Sequence, residues 1–197
     1  MLLISKSGIV DAERVKVKIF PGLERTPMLK VNGIVVHQTN SSTSGSTFAH
    51  YQKAGAHGAH FLIDKDGTIY QTASVYKRTN HVGWLKSRCL ETSQCAPAEF
   101  RDAQRIKGIK KLSAYEHKKE SPARYPGNND SIGIEIVGRE IGKVEGYEAV
   151  NEAQNRSLRW LVRELAETLG VSMREVHKHP DISYKKPSEA RSAKWQD

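Results

Sequence analysis

Two short apolar runs constrain this chain more than anything else in it. "GIVVHQ" spans residues 33–38 and "SIGIEIVG" spans 131–138. Both are rich in β-branched residues, too short for helices, and apolar at successive positions, so each predicts a buried strand that needs cover on both sides. Each also carries one polar group where burial is costly, His37 at the end of the first run and Glu135 inside the second. Rigid strands that open into small polar residues ("TNSS" after His37) are good places from which to aim a reactive side chain.

The remaining pattern supplies the cover. Residues 14–20, "RVKVKIF", alternate like a strand at a sheet edge. Residues 46–55 read as a short helix ending at Gly55. Asp66-Gly67 between "AHFLID" and "TIYQTA" is a hairpin signal. Leu158, Leu161, Val162, Leu165 and Leu169 follow helical spacing behind a cap at Asn151 and Gln154, with Gly170 as the stop. Pro187 is expected to open a last helix. The expected architecture is one α/β domain over residues 1–197, a mixed central sheet flanked by helices.

Charge and composition exclude several classes. Lys and Arg number 31 against 22 Asp and Glu, a net charge of +9. That favours an anionic partner. Aromatic residues do not interleave with the bases, and no helix-turn-helix or zinc-finger spacing occurs, so nucleic acid is not the expected partner. No apolar run suits a membrane span or a signal-peptide core, so insertion into a membrane is not expected. The basic charge is densest in "RIKGIKKLSAYEHKKE", 105–120, within a polar segment of about 85–125 that reads as an insertion, either a solvated face or a wall or lid over a site. Cys89 and Cys95 either close a small disulfide loop, which suits an oxidising compartment, or stay as two separate thiols.

Each polar group has a plain alternative. Glu135 suits an outward-facing position on a half-exposed strand, and a single histidine is more often a satisfied polar residue than a ligand. Their company changes the balance. His37, His81 in "NHVGW", and His177 and His179 in "VHKHPDIS" join Glu135 as polar groups in positions that suit chemistry.

"GIVVHQT", "AHFLIDKDGTIYQ", "NHVGW", "NNDSIGIEIVG" and "HPDIS" follow one another in that order, ahead of a lysine-bearing tail. Over residues 30–190 the chain resembles the zinc-dependent N-acetylmuramoyl-L-alanine amidases, which include phage lysins, muropeptide amidases and peptidoglycan recognition proteins. The resemblance implies hydrolysis of the amide between N-acetylmuramic acid and L-alanine. It implies His37 and His179 as zinc ligands, Glu135 as catalytic base, and Lys186 as an aid at the reacting carbonyl. It places His81, and His60 beside the hairpin, on the substrate side. The third zinc ligand departs from the family pattern in "YKKPSEA". Glu189 is the preferred ligand because carboxylate oxygen is a normal zinc donor; Ser188, His177 or a water are the alternatives. A monomer acting on peptidoglycan or muropeptide is implied. The alternatives are a peptidoglycan-binding module without catalysis and a stem-peptide endopeptidase. With no leader in view, the expected settings are a phage lysin, a type VI effector delivered to a periplasm and matched by a cognate immunity protein, or a cytoplasmic recycling enzyme.

Overall fold

The computed structural model describes residues 1–196. Its strands are β1 (Leu3–Ile4), β2 (Val10–Asp11), β3 (Val15–Val17), β4 (Gly33–Gln38), β5 (Phe61–Ile63), β6 (Ile69–Gln71), β7 (Ser131–Ile136), β8 (Glu140–Gly142), β9 (Gly146–Tyr147) and β10 (Val176–Lys178). Its helices are α1 (Ser44–Tyr51), α2 (Arg88–Thr92), α3 (Pro97–Arg105), α4 (Ile109–Glu116), α5 (Glu152–Leu169) and α6 (His179–Ile182).

Six strands form one mixed sheet in the order β10-β4-β7-β5-β6-β3. The four from β10 to β5 run parallel, β6 turns back on β5 through the Asp66-Gly67 hairpin, and β3 lies parallel to β6 at the edge. The two apolar runs are neighbours at its centre. β4 pairs with β7 in a register that sets His37 opposite Glu135.

Alternation divides β4 and β7 between two layers. Ile34, Val36, Ile132, Ile134 and Ile136 join one apolar cluster with Leu158, Leu161, Val162 and Leu165 of α5. Each fully buried side chain of this kind is worth about 1.5–3 kcal/mol over exposure, which makes α5 the main cover of that face. The helix starts with a reciprocal capping box between Asn151 and Gln154 and ends at Gly170 with φ 68°. On the other face Val35 packs with Val82, Leu85, Tyr125 and Ile182. His37 and Glu135 follow Val35 and Gly133 on that side by strand alternation.

One expectation is corrected and two open ones take definite form. The polar, basic segment 85–125 contains three short helices, α2, α3 and α4. Its buried apolar anchors are few, Cys89, Ala103 and Leu112 among them, too sparse for a visible helical period. Cys89 and Cys95 are joined in a disulfide across the α2–α3 connection. No helix opens at Pro187: residues 187–192 form turns, fastened where the Ala190 N–H donates to Gln38 Oε1 at 3.1 Å. The short final helix is α6, with Pro180 in its first turn.

Candidate active site

The site lies where β4 and β7 end and the segments around His81 and His179 cross them. A cleft of about 550 Å³ opens there, lined by His37, Glu135, His179, Lys185, Glu189 and Trp84 among others. His37 leaves the end of β4, and Gln38 after it holds Ala190 and so places Glu189. The His81 loop is clamped by Asn128, whose Oδ1 accepts from the backbone N–H groups of His81 (2.9 Å) and Val82 (2.8 Å).

The hydrogen bonds set how the histidines are turned. His179 Nε2 lies 2.7 Å from the Val82 carbonyl, which can only accept, so this nitrogen carries a proton and Nδ1 is the nitrogen turned into the site. His81 Nε2 likewise faces the Ser131 carbonyl at 3.3 Å. Burial, with the neighbouring imidazoles adding to it, holds the His81 pKa well below the usual histidine range, so the ring is neutral and its Nδ1 accepts. His37 Nε2 sits 2.9 Å from that Nδ1 and must donate to it. His37 Nδ1 is therefore also the nitrogen turned into the site.

Both Nδ1 atoms face one carboxylate. Glu189 Oε1 lies 2.9 Å from His179 Nδ1 and 3.7 Å from His37 Nδ1, and all three residues are buried. Burial lowers the His37 pKa to about 4, with His179 adding to it. Burial works against a charge on Glu189 too, but the two imidazoles beside it outweigh that and keep the carboxylate ionised. A buried carboxylate oxygen facing the Nδ1 atoms of two imidazoles, each anchored through its Nε2, is an arrangement in which a cation can take the place of the shared protons. Two imidazoles and a carboxylate are a normal zinc donor set.

Glu135 stands beside this group. Its Oε2 is buried with no hydrogen-bond partner. Burial raises its pKa to about 8; the Glu189 charge adds to the rise and Lys185 opposes it. A carboxyl tuned towards neutrality in a cleft, with one oxygen free, has the character of a group that exchanges protons.

The expected residues separate into three groups. His37, His179, Glu189 and Glu135 come together. Ser188 and His177 do not join them. The Ser188 side chain packs where a Cβ on Gly146 would go, and His177 Nε2 is 3.3 Å from Glu175 Oε2, with its ring against Tyr125. The other three expected residues, His60, His81 and Lys186, have surroundings of their own. His60 is fully buried, accepts from the Gly133 N–H at Nδ1 (3.0 Å) and faces the Lys77 carbonyl at Nε2 (2.8 Å), so it ties backbone segments together. His81 lines the cleft as expected, but both of its ring nitrogens are engaged, one of them by His37. Gly133 leaves room for it, since a Cβ there would lie 2.8 Å from His81 Nδ1. Lys186 turns away from the cleft to pair with Glu140. The lysine that lines the cleft is its neighbour Lys185.

Sequence reasoning also missed Trp84, His117 and Tyr147 in the cleft wall. Trp84 keeps 52% of its surface exposed, and the usable signal in the sequence was a large indole directly after "NHVG".

A family model described as N-acetylmuramoyl-L-alanine amidase matches residues 27–194. No curated protein matches the sequence. Among solved structures, a selenomethionine derivative of AmpD superposes with a TM-score of 0.58 at 18% identity, over 99% of this chain and 94% of that one. PlyL gives 0.54 at 15% identity, over 87% and 84%. AmpDH3 from Pseudomonas aeruginosa, in complex with anhydromuramic pentapeptide, gives 0.50 at 20% identity, over 80% of this chain and 55% of that one. At these identities the structural likeness is one of fold.

Proposed function

The chain belongs to the N-acetylmuramoyl-L-alanine amidase family, and from that premise we propose that His37, His179 and Glu189 hold a zinc ion while Glu135 moves the proton in cleavage of the muramoyl–L-alanine amide. The observation that carries this reading is the meeting of two imidazole Nδ1 atoms and a buried carboxylate next to the free oxygen of Glu135.

Zinc bound to those donors supplies a Lewis acid that makes water nucleophilic near neutral pH and draws charge from a carbonyl. The chain's own residues do the rest. Glu135, which a cation held beside it would favour in its ionised form, accepts a proton from the attacking water as the water oxygen bonds to the lactyl carbonyl carbon. The same carboxyl then hands that proton to the alanine nitrogen as the C–N bond breaks, and the second proton of the water passes from the new lactyl carboxylic acid to the freed amine, leaving a carboxylate and a stem peptide with an ammonium terminus. Lys185, exposed at the cleft but close enough to act on Glu135, offsets the negative charge that gathers on the carbonyl oxygen. Val82, through its carbonyl, and His81 keep the two imidazoles turned with Nδ1 inward.

The substrate class we assign is a muropeptide or intact peptidoglycan, the class of the ligand in the AmpDH3 complex. No helix among the described residues is long and apolar enough to cross a membrane. The Cys89–Cys95 bridge supports action in an oxidising compartment such as a periplasm.

Mass spectrometry of soluble products from purified sacculi tests the reading. Stem peptides beginning with L-alanine, lost on chelation and regained with zinc, are expected. Glu135→Gln should keep the metal content of the parent protein while turnover falls by about 100-fold or more. Products cut within the stem peptide would overturn the bond assignment, and full turnover by Glu135→Gln would overturn the role of that residue.

A further inference from the structure

The α3–α4 insertion carries a groove that the proposed reaction does not use. It lies between the end of α3 and the outer side of α4, lined by Arg105, Lys107, Lys111, Ala114, Tyr115 and Lys118. Residues 111, 114, 115 and 118 are spaced as one stripe of a helix, while Leu112, Ser113 and Glu116 form the buried stripe opposite.

The charges on this stripe are not there to hold the fold. The insertion's internal ion pairing is completed by Lys119, whose Nζ lies 2.7 Å from both Glu99 Oε1 and Glu116 Oε1. Arg105 has a loose pair with Asp102 at 3.6 Å. Lys107, Lys110, Lys111 and Lys118 are exposed and have no ion-pair partner among the described residues. Lys110 and Lys111 also occupy the first turn of α4, which has no acidic residue and no side-chain cap. Cations at that end oppose the helix dipole and cost helix stability. An arrangement that weakens its own helix and concentrates positive charge is suited to an anion from outside.

Consecutive residues line the cleft and the groove. His117, directly after α4, lines the cleft, and Lys118, directly after His117, lines the groove. Ser113, on the inner side of α4, accepts from the Leu85 N–H at 2.9 Å and so holds the segment that carries Trp84. One helix therefore has the cleft wall at its end and inner side and the cationic stripe on its outer side. The separation is about one helix diameter, roughly 10–12 Å. An extended peptide of three or four residues spans it, at about 3.3–3.6 Å per residue.

Resting on the amidase reading, we propose that this stripe is a second docking surface, which binds the carboxylates of stem peptides next to the one in the cleft and so favours polymeric wall over a free muropeptide. Peptidoglycan presents many such carboxylates along one polymer, so a site beside the cleft gains from the proximity of the next peptide.

The test uses the full chain with K107E/K111E/K118E, and K107Q/K111Q/K118Q as the milder variant. Binding is measured by co-sedimentation with purified sacculi stripped of phosphate polymers, in a Glu135→Gln background so that the wall stays intact. Turnover is measured with Glu135 in place, on sacculi and on a soluble monomeric muropeptide. The expected result at low salt is sacculus binding weaker by roughly tenfold or more for the charge reversal and by less for the neutral variant. The difference should shrink at high salt, and muropeptide hydrolysis should stay within about twofold. Amidating the sacculus carboxylates should weaken parent binding to the level of the charge reversal. Unchanged sacculus binding in both variants overturns the proposal. So does an equal loss on the soluble muropeptide, or parent binding that survives carboxylate amidation or requires the phosphate polymers. Co-sedimentation does not depend on turnover, so a chain that fails to hydrolyse the wall refutes the amidase reading without deciding the groove.

Discussion

His81 has no nitrogen left for a substrate, and this determines what its loss does. Its Nδ1 takes the proton of His37 Nε2 and its own proton goes to the Ser131 carbonyl. Removing it frees His37 to adopt the other tautomer or to turn. We predict that His81→Ala weakens zinc affinity by about 10–100-fold, read by competition with a chelating dye. His81→Asn, whose amide oxygen can accept in place of Nδ1, should recover part of the loss. Parent affinity in His81→Ala would remove the orienting role. The two lysines give a second prediction. Lys185→Met should lower kcat/KM by about 100-fold, and Lys186→Met, which loses only an outward pair with Glu140, should stay within about threefold. The reverse order would return the role to Lys186. At this scale the sequence exposed the residues whose placement follows from a strand end or an ordered motif, namely His37, Glu135, His179 and Glu189. It did not separate Lys185 from Lys186, since in a turn one residue of register decides which side chain faces inward. Nor did it reveal that His60 and His81 spend their nitrogens on partners far away in the chain.

Elements differ in how openly they are written. α5 was legible to the residue because its capping box, its apolar stripe and Gly170 all agree. β4 and β7 were legible as buried runs, although no local pattern could say that they pair with His37 opposite Glu135. The three short helices of segment 85–125 were not individually legible, because α2 is held by few contacts of mixed kind. One of these is the fork of Arg88, with its guanidinium nitrogens 2.8 and 2.9 Å from the two Glu175 oxygens just before β10. Burial tends to raise the Glu175 pKa, but the hydrogen bonds from His177 and Arg88 lower it further, to a net value below the usual range. A carboxylate depressed in the folded state contributes stability above its unfolded pKa of ~4.3 and loses that contribution as pH falls through the folded value. Arg88→Ala should therefore cost about 2 kcal/mol at pH 7, and its deficit against the parent should shrink as the pH drops below ~4. Chemical denaturation at a series of pH values reads this directly. A deficit that does not vary with pH would mean that Arg88 acts only by packing on Tyr125.

For the molecule as a whole, charge and architecture were readable and topology was not. A net charge of +9 and five ordered motifs pointed to an anionic wall polymer, and the sheet with helices on both sides followed from runs that need double cover. The strand order β10-β4-β7-β5-β6-β3 did not follow, because it sets β4 between strands roughly 100 and 140 residues later in the chain, a distance over which periodicity carries no information. That topology distributes the active site in a particular way. The β8–β9 turn, with Val144 almost fully exposed, divides the chain so that His37, His81 and Glu135 precede it and His179, Lys185 and Glu189 follow it. A break between Lys143 and Val144 would leave each piece with part of the reactive group and with apolar surface that only the other can cover, β4 seeking β10 and the sheet seeking α5. Neither piece should hydrolyse the wall alone, and mixing them should restore hydrolysis in proportion to their association. The enzyme is in that sense divisible, and its activity can serve as a signal that two separately made halves have met.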